Sequence, residues 1–327
     1  MKPFTFIQAN DTATAINEIA RVTEAKFIGG GTNLIDLMRE NIEQPDVVID
    51  ITHLPLSEIE ELPDGSIKIG AMVRNSHLAA HSLIRQRYPV LSQAILNGAS
   101  AQLRNMASTG GNILQRTRCY YFYDETARCN KRQPHSGCDA VKGFNRIHAI
   151  LGTSDFCIAT HPSDMCVAMA ALDAKIQVEG KNGKREIAFT DFHNLPGDTP
   201  QIETILQPDE LITSVILPPL SFAANSLYRK VRDRASYAFA LVSVAAALEV
   251  ENNKIKNVRI ALGGVAHKPW RAFAAEDALQ NKEATEENLT AAVEAELKDA
   301  KGYEHNNFKI GLAKRTIISV LQQLTEK

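Results

Sequence analysis

A basic segment that carries cysteines places the strongest constraint on how this chain can fold. It reads RTRCYYFYDETARCNKRQPHSGC, from Arg116 to Cys138, and contains three of the five cysteines among 327 residues. Regular hydrophobic periodicity stops at its start and does not return until about His148. The sequence therefore predicts a long irregular segment with several thiols inside an otherwise regular chain.

The amino-acid composition is that of a globular chain, and its charge gives no reason to expect a highly charged polymer as a partner. Lysine and arginine number 36 against 38 acidic residues, a net charge of −2 that favours neither nucleic acid nor an anionic membrane. No apolar run is long enough to span a bilayer. Five cysteines, an odd number, argue against a disulfide scaffold. The first twenty residues lack the apolar core of a secretory signal, so we expect no export signal of its own.

The first fifty residues predict a small α/β unit. Thr12 is positioned to cap a helix with an apolar face at Ala15, Ile16 and Ile19. The strand KFIGG, the segment GTNLIDLM and the strand DVVIDI follow at a spacing typical of a βαβ-like unit.

Regular elements return on both sides of the cysteine segment. SIKIGAM predicts a strand, and the patterns over residues 77–87 and 89–97 predict helices. SDMCVAMAALDAKIQVEG predicts a helix and then a strand, and ELITSVILPP predicts a strand ended by prolines. LYRKV, FALVSVAAALEV and NVRIALGGV predict further strands, although the alanine run fits a helix equally well. Residues 282–298 predict a polar helix, and FKIGLAKRTIISVLQQL predicts a terminal helix. Domain boundaries are expected near residues 52–61 and 218–225.

Two glycine-rich stretches have the character of ligand-binding loops. FIGGGTNL lies between a strand and a helix, where glycine permits tight turns and the free N–H groups of a helix start suit a diphosphate. It is not a Rossmann fingerprint, because Leu34 stands where the third glycine belongs, and no Gly-Lys-Ser/Thr of a P-loop follows. STGGNIL adds hydroxyl and amide side chains. Each stretch alone fits a simple turn, whereas together they could hold the two ends of a dinucleotide.

Four segments in order resemble the FAD-binding subunits of the molybdenum hydroxylases, the xanthine dehydrogenase and aldehyde oxidoreductase group. They are AKFIGGGTNLIDLM, QLRNMASTGGNILQ, THPSD and YRKVRDRASYAFALVSVA. Within this group the chain is most similar to the flavin subunit of three-subunit bacterial periplasmic aldehyde oxidoreductases.

The resemblance implies an α+β fold with a vanillyl-alcohol-oxidase-type (PCMH-type) FAD-binding domain over residues 1–220. This domain would comprise two α/β subdomains, about 1–55 and 56–220, with an inserted loop at about 116–157. A C-terminal α+β domain of the CO-dehydrogenase flavoprotein type would occupy residues 221–327.

The resemblance also assigns FAD contacts. One segment would wrap the diphosphate: Lys26, Phe27, Ile28, Gly29, Gly30, Gly31, Thr32, Asn33 and Leu34. The second loop would contact the diphosphate or ribityl side through Ser108, Thr109, Gly111 and Asn112. Asp164 would hydrogen-bond the cofactor, and Leu211 and Lys230 would lie near the isoalloxazine. Without the resemblance these last three residues are better explained by a helix N-cap, core packing and a solvated face, respectively.

The cysteines alone do not identify a metal. Cys119, Cys129, Cys138, Cys157 and Cys166 are separated by nine, eight, eighteen and eight residues, unlike zinc knuckles or common ferredoxin runs. Residues 116–146 contain seven basic and three acidic residues, a net charge of +4, which should favour thiolates and would offset an anionic cluster. Three alternatives stay open: a disulfide, a reduced inert loop, or zinc held by three cysteines with His135, His148 or His161.

The resemblance favours iron over these alternatives. Some subunits of this group carry an inserted loop that binds an additional 4Fe–4S cluster, and the segment from Arg116 to Cys157 resembles that insertion. It implies Cys119, Cys129, Cys138 and Cys157 as ligands, which leaves Cys166 in the core. Cys157 and Asp164 lie seven residues apart, so we expect the cluster and the flavin to be neighbours.

The function implied is electron transfer rather than substrate oxidation. No nucleophile elbow, HExxH or other catalytic motif occurs. In the resembling complexes, electrons pass from a large molybdenum-cofactor subunit through a small 2Fe–2S subunit to FAD and on to an external acceptor. A self-contained flavin oxidase or dehydrogenase and a zinc-stabilised scaffold are the alternatives. We expect a periplasmic location by co-export with a partner that carries a twin-arginine signal, or else a cytoplasmic one.

Overall fold

The computed structural model describes residues 1–326, and its first unit is a three-stranded parallel sheet with two helices. The strand order is β1-β3-β2, with both outer strands parallel to β3. The elements are β1 (Thr5–Gln8), α1 (Thr12–Ile19), β2 (Ala25–Ile28), α2 (Leu34–Arg39) and β3 (Val47–Asp50). The predicted βαβ-like unit is confirmed, but the cap of α1 is Asp11 rather than Thr12. The Asp11 carboxylate accepts a 2.7 Å hydrogen bond from the Thr14 N–H, which satisfies a free donor of the first turn.

The second unit surrounds a five-stranded sheet of order β4-β5-β8-β6-β7, in which every pairing is antiparallel. Its strands are β4 (Ile59–Glu61), β5 (Ile67–Gly70), β6 (Lys175–Gly180), β7 (Gly183–Ala188) and β8 (Leu211–Leu217). Its helices are α3 (Asn75–Ala80), α4 (Ser82–Arg87), α5 (Pro89–Asn97), α6 (Ala101–Met106), α7 (Thr109–Ile113), α8 (Tyr120–Tyr123), α9 (Asp164–Ala171) and α10 (Phe189–Phe192). The helix predicted over residues 77–87 is two helices, because His81 has an extended backbone.

Helix α9 lies at the centre of the molecule. All eight of its residues are buried, and Cys166 is fully enclosed in the main hydrophobic core, as the sequence predicts for that cysteine. The cap of α9 is Ser163, whose Oγ accepts a 3.1 Å hydrogen bond from the Cys166 N–H. Asp164 is therefore the first residue of the helix and not its cap.

The third unit packs three helices on a four-stranded antiparallel sheet of order β12-β11-β10-β9. Its elements are β9 (Ser226–Val231), β10 (Val242–Glu251), β11 (Lys254–Gly263), β12 (Trp270–Arg271), α11 (Phe273–Leu279), α12 (Glu286–Leu297) and α13 (Phe308–Thr325). The alanine run, ambiguous from sequence, is the central strand β10. Ala245 belongs to the core around α9, whereas Val244 and Ala246 belong to the core under the C-terminal helices. Because both faces of β10 are buried, its residues need not alternate between apolar and polar along the strand.

The cysteine segment has little regular structure, as predicted. Between residues 116 and 157 it contains only the short α8 and the isolated bridges Cys129–Cys138 and Ser154–Cys157. Within the described part of the chain, no helix combines the length and apolar character that a membrane span requires.

Replacing Gly311 by alanine is expected to stabilise the chain by about 0.5–1 kcal/mol, because glycine inside a helix costs conformational entropy. Gly311 lies inside α13, and a methyl group added there would meet only the mobile end of the Arg315 side chain, at 3.3 Å. A urea unfolding midpoint higher than that of the wild type would bear this out. An unchanged or lower midpoint would show that the methyl group is not accommodated on this face of α13.

Candidate functional site

The two glycine-rich stretches, distant in sequence, lie directly against each other. A Cβ atom added at Gly29 would approach the Ser108 Oγ at 3.0 Å, and one added at Gly30 would lie 2.0 Å from the Met106 carbonyl oxygen. Only glycine permits this approach of two backbones. The structure thus brings the predicted diphosphate segment and the predicted second loop to one place.

The first glycine stretch offers a row of free backbone donors. Within residues 1–326, the N–H groups of residues 29–33 donate to no backbone or side-chain acceptor. The Asn33 Nδ2 atom is also buried without a partner, while its Oδ1 accepts a 3.0 Å hydrogen bond from the Arg116 N–H. Consecutive unpaired N–H groups beside a helix start are suited to a phosphate group. This segment therefore fits the diphosphate of FAD.

The second loop is held together mainly by its own side chains. Ser108 caps α7 by accepting a hydrogen bond from the Gly111 N–H at 3.3 Å, and the Thr109 hydroxyl donates to the Val73 carbonyl at 3.0 Å. Asn112 Oδ1 accepts a 2.5 Å hydrogen bond from the Ser163 hydroxyl. These contacts fix the loop against α9, and the cofactor contacts assigned to these side chains stay predictions.

Asp164 and Lys230, assigned to the flavin by resemblance, form a buried ion pair. The Lys230 Nζ lies 2.7 Å from the Asp164 Oδ2 and 3.0 Å from the Asn97 carbonyl, and its side chain is 2% exposed. The solvated face considered for Lys230 is therefore wrong. Tyr228, which sequence reasoning missed, donates its hydroxyl hydrogen to the same carboxylate. In the sequence, only its position two residues before Lys230 on β9 indicates that Tyr228 belongs to the site, because alternate residues of a strand share a face.

Leu211 lies elsewhere. It is 3% exposed and packs with Met72 in the core of the first unit, behind the glycine stretch. The core packing considered for Leu211 is what the structure shows, and its proximity to the isoalloxazine stays a prediction.

A cleft opens beside Asp164. Its walls come from residues 160–164, from β10 and β11, and from two side chains that sequence reasoning did not single out, Arg118 and Phe239. The Arg118 guanidinium lies 5.3 Å from the centre of the Phe239 ring. The cleft combines an aromatic ring, a cation and a carboxylate, which is a surface that a polar heteroaromatic ring can occupy.

The four cysteines assigned as ligands line a second cavity: Cys119, Cys129, Cys138 and Cys157. All are free thiols, so the disulfide considered from the sequence is not formed. The structure thus brings the four predicted ligands to one cavity, and the group that they would bind stays a prediction.

The histidines considered for zinc do not complete such a site. Among residues 1–326, no three His, Cys, Asp or Glu side chains converge as a site for a single metal ion. His135 is exposed, and His161 lines the other cleft. The His148 Nε2 lies 3.1 Å from the Cys119 Sγ, but His148 does not line the cysteine cavity. None of the three therefore supports the zinc alternative.

Burial, rather than the surrounding arginines and lysines, controls these thiols. It raises the pKa of Cys119 and of Cys157 to about 12 each and also raises the pKa of Cys138. The expectation that basic neighbours favour thiolates is therefore wrong for the unliganded chain.

Three of the seven basic side chains pair with acids from other parts of the chain: Arg116, Lys131 and Arg146. Arg116 pairs with Glu43 and with Glu203, and Lys131 pairs with Glu203 at 2.7 Å. Burial raises the pKa of Glu203, but the two cations outweigh this effect and hold the pKa at about 2. The local charge of +4 in the sequence is thus partly offset in the fold.

One short segment connects the two cavities. Cys157 and Ala159 line the cysteine cavity, while Thr160 to Asp164 line the cleft beside the ion pair. Consecutive residues of one segment therefore line the two cavities, and the closeness of a cluster to the flavin stays a prediction.

Comparison with known proteins identifies the family. Residues 2–220 match the family model described as FAD binding domain in molybdopterin dehydrogenase, and residues 226–321 match the CO dehydrogenase flavoprotein C-terminal domain. The chain is 53% identical to the aldehyde oxidoreductase FAD-binding subunit PaoB of Escherichia coli (strain K12) over 99% of this chain and 98% of that protein. The chain belongs to the FAD-binding medium subunits of the molybdenum hydroxylases.

More distant relatives share the fold of this flavin subunit. It is 25% identical to the glyceraldehyde dehydrogenase medium chain of Sulfolobus acidocaldarius over 84% of this chain and 79% of that protein. A solved chain of a carbon monoxide dehydrogenase from Hydrogenophaga pseudoflava superposes with a TM-score of 0.77 at 24% identity, covering 100% of this chain and 99% of that one. The predicted fold class, a PCMH-type FAD-binding domain followed by a CO-dehydrogenase flavoprotein domain, is confirmed.

Replacing Lys230 by methionine is expected to destabilise the flavin subunit by about 3–5 kcal/mol, because it leaves the Asp164 carboxylate buried without its cation. Lys175→Met is the control, since its ion pair with Glu186 is exposed and should contribute less than about 1 kcal/mol. Urea unfolding of both variants measures the difference. Equal effects would show that the buried pair has no special role in stability.

Proposed function

We propose that the chain is the FAD- and 4Fe–4S-binding electron-transfer subunit of a molybdenum-dependent aldehyde oxidoreductase. Its partners would be a large molybdenum-cofactor subunit and a small 2Fe–2S subunit, with an external acceptor receiving the electrons. The aldehyde specificity rests on the relative that shares 53% identity, which is named as an aldehyde oxidoreductase subunit.

One observation carries the proposal: four free thiols surround a cavity that shares the 157–164 segment with the cleft beside Asp164. Two redox groups that are to exchange electrons must lie close together, and a segment whose consecutive residues line both cavities supports such closeness. The arrangement would also explain how an irregular segment of some forty residues keeps one conformation, because a cluster bound at its centre would stabilise the loop.

FAD, when bound, accepts electrons singly and releases them as a pair. The protein's own residues hold and orient it. The free N–H groups of residues 29–33 would bind its diphosphate, and the buried Asp164–Lys230 pair fixes a carboxylate at the edge of the cleft. Three of the four cysteines are buried, with exposures of 7% for Cys119, 6% for Cys129 and 5% for Cys157, whereas Cys138 is partly exposed.

Absorption and metal analysis of the purified full chain test the proposal. We expect flavin bands with a broad iron–sulfur shoulder, about four irons per chain, and no aldehyde turnover until the two partner subunits are added. Turnover by the isolated chain would instead indicate a self-contained flavin enzyme. A colourless folded protein that contains zinc would indicate a scaffold, and either result would overturn the proposal.

We further propose that the assembled complex is periplasmic and is exported in folded form on a partner's twin-arginine signal. Fractionation of cells that express all three subunits, with and without the partner's signal, measures this. The chain should be periplasmic only when the signal is present. Recovery in the cytoplasm in both cases would contradict the proposal.

A further inference from the structure

Lys131, whose side chain ends in a buried ammonium group, is one of the residues that line the cysteine cavity. The Lys131 side chain is 1% exposed and lines the cavity together with the four cysteines. Its Nζ contacts the Pro200 carbonyl at 2.9 Å, the Glu203 Oε1 at 2.7 Å and the His267 Nε2 at 2.7 Å. An ammonium group has three hydrogens, and three acceptors surround this one. The charge is therefore held at one place and cannot turn toward solvent.

His267 supports this ammonium group without adding a charge. Its Nδ1 lies 3.2 Å from the Ala159 carbonyl, so Nδ1 carries the hydrogen and Nε2 accepts from Lys131. Burial and the neighbouring Lys131 lower the pKa of His267 to about 3, which keeps the ring neutral. His267 and Ala159 thus fix the ammonium group relative to the segment that carries Cys157.

The balancing negative charges lie behind the ammonium group rather than in the cavity. Glu203 is shared between Lys131 and Arg116, and Arg116 is shared with Glu43. The four charges cancel in sum, but of these residues only Lys131 lines the cavity. A group inside the cavity therefore meets the positive end of the network first.

We propose that Lys131 raises the reduction potential of the iron–sulfur cluster held by the four cysteines, an inference that rests on the proposed function. Reduction adds an electron to a cluster that is already anionic. A fixed cation in a poorly solvated wall stabilises the reduced form more than the oxidised form, because the attraction grows with the cluster's negative charge. Glu203 opposes this effect, since its carboxylate lies directly behind the ammonium group.

Two substitutions with opposite expected signs test the inference. Lys131→Met should lower the ratio of reduced to oxidised cluster at a fixed potential at least tenfold, a shift of at least about 59 mV for a one-electron couple. Glu203→Gln removes the opposing anion and should shift the ratio the other way. Lys142→Met, which removes a cation from an exposed position of the same loop, should leave it near the wild-type value. Potentiometric titration of the full chain, followed by electron paramagnetic resonance, measures all three.

Iron and FAD contents of each variant separate the outcomes. If the wild-type chain binds no iron, the proposed function fails and this inference fails with it. If the wild type binds iron but Lys131→Met and Glu203→Gln shift the potential in the same direction, a general loosening of the cavity explains the result and the electrostatic role of Lys131 is refuted. An unchanged potential in Lys131→Met would refute it as well. Should Lys131→Met not accumulate, the sign of the Glu203→Gln shift decides.

Discussion

Replacing Cys129 by serine is expected to lower the iron content of the chain by more than about tenfold while leaving most of the FAD in place. Cys129 lines the cavity with the three other cysteines and is 6% exposed. A serine hydroxyl is a poor ligand for iron in a thiolate site. Even mutations of the residues around a metal site, which leave its ligands in place, lower the metal affinity about 10–100-fold. The FAD should stay because neither glycine-rich stretch lines the cysteine cavity. Iron analysis and flavin absorbance of the same sample measure the two effects.

The matched control for this substitution is Cys166→Ser. It makes the same chemical change at a thiol that is fully buried in the core around α9 and lines neither cavity. We expect its iron content to equal that of the wild type. Unchanged iron in Cys129→Ser, or equal iron loss in both variants, would contradict the assignment of Cys129 as a ligand.

Replacing Gly30 by valine is expected to lower the FAD content by more than about tenfold while the iron stays bound. A Cβ atom at this position would lie 2.0 Å from the Met106 carbonyl oxygen, so the two glycine-rich stretches would have to separate. Separation moves the free N–H groups of residues 29–33 away from the second loop. Flavin absorbance per chain measures the loss, and retained iron shows that the rest of the molecule has folded.

Gly311→Val provides the control for a change from glycine to valine. Its position on α13 meets only the flexible end of Arg315, so FAD should be retained in full. Full FAD in Gly30→Val would mean that the diphosphate lies elsewhere. Joint loss of FAD and iron in Gly30→Val would indicate misfolding of the domain instead of a local effect.

Much of the local structure follows from the sequence alone. The terminal helix, the helix over residues 89–97 and the strand ended by Pro218 are where hydrophobic spacing and proline chemistry predict them. The two glycine-rich stretches can also be recognised from the sequence, because only glycine permits such a close approach of two backbones. The order of these motifs was also sufficient to identify the family and the fold.

Other features depend on contacts between distant parts of the chain. Lys230 has no partner near it in sequence, and its place in the interior depends on Asp164, which lies 66 residues away on α9. The alanine run of β10 became a strand because layers on both sides bury it, and no local pattern reports that. Tyr228 was missed for the same reason.

The sequence by itself determined which residues are candidates for the chemistry: glycines without side chains for an anion, and cysteines too widely spaced for a zinc knuckle. Only the tertiary structure decided the protonation states of these groups and which of them lie close together. The basic loop predicted ionised thiols, yet burial raises the pKa of Cys119 and Cys157 to about 12, and acids from outside the loop pair with Arg116 and Lys131. The physical reason is that desolvation and ion pairing depend on distance in space, which the order of residues along a chain does not specify.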